Sequence, residues 1–317
     1  TKYEYNNAGD LTVVIDPLGQ RTEYTYDQRS NHLTQKDANN HVTSWIYDEL
    51  GRISSRSLPE GQVEYFTYDS EGNIASKTDF NGDQTLFAYN NLNQLISTSY
   101  PDNTAVYYSY NPIGKISSII DVHGITSYQY NVDDKLKRIN YPNGNSIDYE
   151  YDLNGNRIKV KTANQTINYT FDALNRLSDV ISANGGTNYF YDSVGNRSIQ
   201  ANSNGTIVTY EYNLLNRLVK LEHFDPNNNI IASYSYTLDA NGNRKQIVES
   251  NGRIVNYSYN DLNRLIAEDI IDLINGNHSS TFEYDLVGNR LQQTIDGLTT
   301  TYSYDSNDLL LNEIENS

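Results

Sequence analysis

The sequence predicts an all-β protein, a spiral or barrel-like array of about fifteen β-hairpin repeats. Three observations support this prediction. A short aromatic strand pattern returns every 20 or 21 residues apart from two longer intervals, a turn sequence follows each copy, and the remaining segments are too short for helices. An open sheet rarely exceeds about ten strands without curling or closing, so about thirty consecutive strands must curve round.

Each repeat begins with a strand that carries aromatic residues on one face. Each strand ends on a residue that we call the anchor, which is Tyr in all but two copies, and an aromatic residue stands two positions before it. The residue between them is usually polar, as Thr25 is between Tyr24 and Tyr26. Side chains alternate across a strand, so this period of two indicates one aromatic and one polar face. The anchors are Tyr5, Tyr26, Tyr47, Tyr68, Tyr89, Tyr110, Tyr130, Tyr151, Phe171, Tyr191, Tyr212, Leu238, Tyr259, Tyr284 and Tyr304.

A turn, here named the tip turn, follows every anchor. Its first residue is always Asp or Asn, and its fourth is Gly, Asn or Asp, with Ser30 alone departing. An Asp or Asn side chain accepts hydrogen bonds from backbone N–H groups two or three residues on, and Gly or Asn tolerates positive φ. The sequence "YDSEGN" is therefore predicted to end a strand and fold the chain back.

A second strand and a second turn, the rim turn, complete the repeat. The strand opens on an aliphatic residue such as Leu11 or Ile53, and sequences such as "DPLGQ" and "LPEGQ" mark the rim turn. Both long intervals place their extra residues in rim turns, which are therefore predicted to tolerate change. We place the candidate binding residues there: Asp225, Asn227, Asn228, Asn229, Asn275, Asn277 and His278.

Two further patterns concern the tip turns. From Tyr110 onward their fourth residue alternates between Gly and an Asn or Asp, which predicts a two-repeat unit without giving a physical reason for it. Arginines recur at the turn ends, and we expect them to form solvated ion pairs with the turn carboxylates. They are Arg52, Arg157, Arg197, Arg244 and Arg290.

Composition excludes several classes of function. A formal net charge of -17 with only 23 Lys and Arg argues against a nucleic-acid partner and against attraction to anionic membranes. No apolar run approaches the ~18 residues of a membrane span. The absence of cysteine excludes disulfides and thiol chemistry.

No pattern indicates a metal, a cofactor or a catalytic residue. The five histidines lack metal-ligand spacing. The turns at Asp152 and Asp239 superficially resemble calcium loops, but Ala163 and Ser250 stand where a closing Glu is needed. Forty acidic residues make any chance pair uninformative as a glycosidase signal. The sequence therefore predicts that the protein is not an enzyme and needs no cofactor.

The segments "YDLNGNR", "FDALNRL", "YDSVGNR", "YNLLNRL" and "YDLVGNR" resemble the YD-repeat family, and the resemblance covers essentially all 317 residues. This family includes bacterial Rhs proteins, shell components of insecticidal toxin complexes and animal teneurins. The resemblance implies a hollow spiral of β-hairpins, which in many bacterial members encloses a C-terminal toxin released by self-cleavage. No segment here resembles the self-cleaving core, so autoproteolysis is not inferred.

These observations lead to one main hypothesis and one alternative. Residues 1–317 are expected to form a single YD-repeat array, a segment of a longer protein, that serves as a non-catalytic wall in a secreted bacterial toxin, shell or delivery-system cargo. The alternative is an extracellular adhesion module that binds glycan or protein. Expected partners are other segments of a larger shell or a delivery-system protein, with glycan as a further candidate, and the expected location is secreted or extracellular.

Overall fold

The computed structural model describes residues 1–316 and contains thirty β-strands and no helix in that range. The predicted all-β array of fifteen hairpins is therefore confirmed. The chain forms two compact units, each described here by itself. Unit 1 comprises Thr1–Asn103 together with the chain from Ile254 onward, and unit 2 comprises Thr104–Arg253.

Strands β1 to β10 and β25 to β30 belong to unit 1, and β11 to β24 to unit 2. In unit 1 the strands are β1 Lys2–Tyr5, β2 Leu11–Ile15, β3 Arg21–Tyr26, β4 His32–Lys36, β5 Val42–Tyr47, β6 Ile53–Ser57, β7 Val63–Tyr68, β8 Ile74–Thr78, β9 Gln84–Tyr89, β10 Leu95–Ser99, β25 Ile254–Tyr259, β26 Leu265–Ile271, β27 His278–Tyr284, β28 Arg290–Ile295, β29 Leu298–Tyr304 and β30 Leu310–Asn316. In unit 2 they are β11 Ala105–Tyr110, β12 Ile116–Asp121, β13 Gly124–Tyr130, β14 Leu136–Asn140, β15 Ser146–Tyr151, β16 Arg157–Lys161, β17 Thr166–Phe171, β18 Leu177–Ser182, β19 Gly185–Tyr191, β20 Arg197–Asn202, β21 Ile207–Tyr212, β22 Leu218–Phe224, β23 Ile230–Leu238 and β24 Arg244–Glu249.

Each strand that ends at an anchor pairs antiparallel with the strand that follows it. In all fifteen of these tip hairpins the register shifts immediately before the anchor. Thr25 pairs with Thr34, for example, but Tyr26 pairs with His32. Such a bulge leaves one residue unpaired and increases the local twist. The sequence pattern did not reveal this bulge.

The predicted positive φ at the fourth residue of the tip turn is confirmed in all fifteen copies, and Ser30, with a φ of 62°, adopts it too. The predicted side-chain hydrogen bonds are partly wrong in their spacing. The donors are mainly the backbone N–H groups two and four residues after the Asp or Asn, not two and three. Asp48 Oδ1, for example, accepts from the N–H groups of Leu50 and Arg52, both at 2.9 Å. Each tip turn thus satisfies its own backbone.

The chain buries few hydrophobic side chains. In the described range only Val13, Val208 and Val255 are buried hydrophobic residues. Most strand residues are half-buried on the anchor face, and the residue between the two aromatic positions is usually exposed. Stability must therefore come from cross-strand pairs, which contribute about 0.2–1 kcal/mol each, and from the turns.

Replacing Gly155 with Val is expected to destabilise unit 2 by about 1–2 kcal/mol, because a β-branched residue is strained at positive φ. Gly155 has a φ of 92°. The matched variant is Gly155→Asn, since Asn occupies the same turn position at Asn175 and Asn216 with positive φ. Urea unfolding measures both, and equal midpoints for the two variants would contradict the expected strain.

Candidate functional site

The anchor hydroxyls form a repeated hydrogen bond to the backbone. Tyr47 donates to the carbonyl of His32 at 2.8 Å, and Tyr191 donates to that of Leu177 at 2.7 Å. Each acceptor is the first residue of the second strand in the preceding repeat. Tyr68, Tyr130, Tyr151, Tyr284 and Tyr304 make the same bond. The bond gives a reason for Tyr rather than Phe, and the only sequence signal for it was the count of 29 Tyr against 7 Phe.

Removing one of these hydroxyls should cost about 1 kcal/mol, because it leaves a partly buried carbonyl without its donor. Tyr191→Phe tests this in unit 2. Tyr107→Phe is the matched control in the same unit, since the Tyr107 side chain is 53% exposed and lies on the opposite face of its strand. Thermal unfolding should separate the two variants, and an equal loss for both would assign the effect to something other than the carbonyl bond.

Neighbouring tip turns are joined by side-chain amides. In the turns with Gly at the fourth position, the next residue is often Asn, and this amide donates to the fourth residue of the following turn. Asn196 reaches Asn216 at 3.0 Å, and Asn289 reaches Asp308 at 2.7 Å. Asn73 with Asn93, and Asn156 with Asn175, repeat the contact.

Cations join the turns in the same direction. In the turns with Asn or Asp at the fourth position, the next residue is often Arg or Lys and extends over the following turn. Arg217 donates to the Ala240 carbonyl at 3.1 Å, and a Cβ on Gly242 would lie 3.1 Å from the Arg217 guanidinium carbon. The alternation found in the sequence therefore has a physical basis: one turn provides the amide acceptor, and the next provides the Gly that admits the cation.

The expectation that arginines at the turn ends pair with turn carboxylates is confirmed for Arg52, which lies 2.7 Å from Asp48. Arg157, Arg197, Arg244 and Arg290 stand over Tyr rings, at 4.5 to 5.9 Å from the ring centroids. The difference follows from one position in the sequence. Arg52 is the fifth residue counted from its Asp, close enough to pair with it, and it also stands over the Tyr68 ring at 4.2 Å. The other four are the sixth residue and begin a strand on the aromatic face, where they make cation–π contacts.

The predicted binding residues lie in two rim turns, one in each unit. In unit 2, Asp225 accepts from the N–H groups of Asn227 and Asn229, each at 2.8 Å, and from the Asn229 amide at 2.9 Å, while Asn228 has a φ of 63°. The Asp225 and Asn229 side chains are thus engaged within the turn itself. A ligand-binding role for this set stays a prediction.

In unit 1, Asn275 and Asn277 contact their own turn, and His278 contacts the next rim turn. Asn275 donates to the Asp272 carboxylate at 3.0 Å, and Asn277 accepts from the Asp272 N–H at 3.1 Å. His278 Nδ1 lies 2.6 Å from Asp296 Oδ2, which holds the pKa of Asp296 below its usual value. The buried Asp272, which organises this turn, was missed in the sequence.

The most distinctive site lies within unit 1, where early rim turns meet late tip turns. We name these contacts the seam: rim turns 16–20, 37–41 and 58–62 against tip turns 260–264, 285–289 and 305–309. Asn307 donates to Gln62 at 2.8 Å, and Glu60 accepts from the Ser306 N–H at 3.0 Å. The partners are 245 to 247 residues apart, an offset of twelve repeats.

The seam combines apolar and polar contacts. A cavity of about 460 Å³ is lined by Val14, Asp16 and Leu286 among others, and one of about 310 Å³ lies between Leu18 and Leu286. Asn39 donates to Asp285 at 2.9 Å. Partial burial raises the pKa of Asp285, but hydrogen bonds from the side-chain amides of Asn39 and Asn289 lower it further, so the pKa lies below its usual value. Aliphatic turn residues thus meet rim turns that also provide hydrogen bonds.

One buried charge stands on the aromatic face of unit 1. Glu64 is 3% exposed, and its carboxylate lies 2.5 Å from Arg56 Nε and 3.0 Å from Lys77 Nζ. Arg56 and Lys77 also stand over Phe80 and Phe66. Nothing in the repeat pattern identified this cluster.

Across residues 1–316 no group of three or more His, Asp or Glu side chains is arranged to hold a metal ion. Within the same range, no helix has the length and apolar character required to span a bilayer.

The consecutive hairpins, the tip turns and the seam define a β-hairpin repeat protein. Residues 1–126 match the family model described as Teneurin YD-shell, and residues 130–167 match the model described as RHS Repeat. The resemblance to YD-repeat proteins is thereby confirmed, and the chain carries YD/Rhs repeats. No curated protein matches the chain.

Solved structures share the fold. The crystal structure of TcdB2-TccC3 without its hypervariable C-terminal region superimposes with a TM-score of 0.84 at 16% identity, covering 98% of this chain and 19% of the other. The crystal structure of TcdB2-TccC3 superimposes with a TM-score of 0.70 at 16% identity, covering 98% of this chain and 21% of the other. The Photorhabdus luminescens Tc holotoxin pore gives 0.60 at 12% identity, with coverages of 98% and 22%. The chain thus spans about a fifth of the length of these neighbours.

Proposed function

We propose that residues 1–317 form one array that serves as a non-catalytic wall segment in the shell of a secreted bacterial toxin or delivery-system cargo. The seam is the observation that supports this proposal. It shows that repeats twelve apart bind through their turns, so further repeats can add a layer by the same contacts. The fold shared with Tc toxin structures supports the proposed role in a toxin shell and the proposed secreted or extracellular location.

The area of the array supports a role as one segment of a larger wall. Thirty strands about 4.8 Å apart and about 18 Å long cover only ~2,600 Å². As a sphere this area has a radius of ~14 Å, whereas a 100-residue domain already has a radius of gyration of about 13 Å. Other segments of a shell, or a delivery-system protein, are therefore the partners proposed for this chain.

The experiment uses the full-length gene product. If the array is part of an enclosing wall, a non-repeat domain of that product should resist proteinase K within it and be digested when expressed alone. Electron cryo-microscopy of the same sample should show residues 1–317 in the wall. Equal digestion in both samples would contradict encapsulation.

The adhesion alternative has its own assay. If the isolated chain bound cells or immobilised glycans, and Asn227→Ala with Asn228→Ala removed that binding, the module would be a receptor-binding surface rather than a wall. The wall proposal expects no such binding.

A further inference from the structure

The tip turns of unit 2 carry an exposed row of aliphatic side chains. These residues occupy the second or third position of the turn, where the main chain is already satisfied by the Asp or Asn. Val132, Leu153 and Leu214 are 99%, 105% and 104% exposed. Ile113, Leu174, Val194 and Leu215 extend the row at 56% to 71% exposure. A row of aliphatic side chains along one edge is typical of an interaction surface.

Unit 1 shows what covers such residues. Leu262 and Leu286 occupy the same turn positions, and both line the seam cavity with Val14, Asp16 and Gln20. Leu262 is half-buried there and Leu286 is 52% exposed, about half the exposure of Leu153 and Leu214. Rim turns of the same repeat type are therefore the observed partner of these side chains.

We infer that the tip-turn row of unit 2 binds the rim turns of a second copy of this chain. The inference rests on the seam that supports the proposed function. The hydrogen bonds expected are those of the seam: rim-turn amides to tip-turn carboxylates, as from Asn39 to Asp285, and tip-turn N–H groups to rim-turn carboxylates, as from Ser306 to Glu60. The candidates are the rim turns of the second copy that lie outside its own seam, because the repeats share one geometry.

The two surfaces are different parts of the same chain, so the contact is heterologous. A heterologous contact that does not close into a ring produces open stacks, in which the tip row of each copy binds the rim turns of the next. Copies should therefore associate head to tail, and stacks should grow with protein concentration.

Sedimentation velocity of the purified chain over about a hundredfold range of concentration tests the inference, since association follows mass action. The double variant Leu153→Glu with Leu214→Glu should lower the association constant by about tenfold or more, since a tenfold loss corresponds to only about 1.4 kcal/mol. The control is Tyr107→Glu, since Tyr107 is 53% exposed in the middle of strand β11, away from both the tip turns and the rim turns. Circular dichroism confirms that each variant is folded.

A mixing experiment then separates head-to-tail from symmetric association. The double variant keeps its rim turns, so it should cap wild-type stacks and shorten them when added in small amounts. The inference would be overturned if the wild-type chain stayed monomeric at every concentration. It would also be overturned if the double variant still formed stacks and did not shorten those of the wild type. The protease-protection test concerns the longer protein alone, so its outcome is independent of this one.

Discussion

Replacing Glu64 with Gln should destabilise unit 1 by about 3 kcal/mol, because removal of one partner from a buried ion pair leaves the remaining charge uncompensated. Glu64 is the buried member of a three-residue cluster with Arg56 and Lys77, whose side chains are 38% and 42% exposed. Because Arg56 and Lys77 are partly exposed, water can partly solvate them in the variant. We therefore place the expected loss of unfolding free energy at the lower end of the range for buried ion pairs. Urea unfolding, monitored by the fluorescence of the nearby Trp45, measures it.

The chain contains a matched control for this substitution. Glu23 also lies between two cations, at 2.7 Å from Lys36 and 3.5 Å from Arg21, but its side chain is 39% exposed. Both cations lower the pKa of Glu23, Lys36 more than Arg21. An exposed ion pair contributes little to stability, so Glu23→Gln should shift the unfolding midpoint much less. Equal shifts for the two variants would show that burial is not the cause.

Acid should unfold the array cooperatively, and this is the largest effect that we expect. The tip-turn and rim-turn carboxylates accept hydrogen bonds in the folded state, which lowers the pKa of each below its unfolded value. In most of them the largest cause is the amide of the Asn four residues on, and in Asp48 and Asp172 it is the backbone N–H of the Arg at that position. The carboxylates are Asp27, Asp48, Asp69, Asp152, Asp172, Asp225 and Asp239.

The sign of the pH dependence follows from these lowered pKa values. A folded-state pKa below the unfolded one contributes stability that is present above the unfolded value of about 4 and is lost as pH falls through the folded value. The melting temperature should therefore be constant near neutral pH and fall steeply below about pH 4. Thermal unfolding from neutral to acidic pH measures this dependence.

Asn provides the control for the acid prediction, because Asn already replaces Asp in the turns at Asn90, Asn111 and Asn213. Substituting Asn for Asp48, Asp152 and Asp239 keeps the side-chain acceptor and removes the titrating group. The variant should retain more of its stability at low pH than the wild type. A variant as acid-sensitive as the wild type would assign the loss to other groups.

Local features of the fold were predictable, because they depend on residues within one repeat. The period of two around Tyr24 and Tyr26 predicted the strands. The Asp or Asn that opens each tip turn, and the Gly or Asn at the fourth position of most of them, predicted the reversal and the positive φ. The bulge beside each anchor was missed, since no residue type marks it. The alternation of Gly155 with Asn175 was visible in the sequence, but its cause needed the neighbouring turn in space.

Contacts between distant repeats were beyond the sequence pattern. The offset of twelve repeats at the seam depends on the twist accumulated over many strands, which no single repeat encodes. Glu64 occupies a position that other repeats fill with uncharged residues, so the repeat pattern did not mark its pairing with Arg56 and Lys77. The binding site predicted at Asp225 and Asn275 was based only on the length of these loops. Loop length does not reveal the hydrogen bonds within each turn that engage the two side chains.

The offset at the seam also determines the order in which the protein folds. Each tip hairpin closes a loop of only a few residues, and consecutive hairpins add to one another locally, a topology that favours rapid folding. The seam, in contrast, joins residues about 246 positions apart, and the entropy lost in closing a loop grows with its length. The hairpins should therefore form first and the seam last, so that a chain emerging from a ribosome can fold hairpin by hairpin before the seam closes.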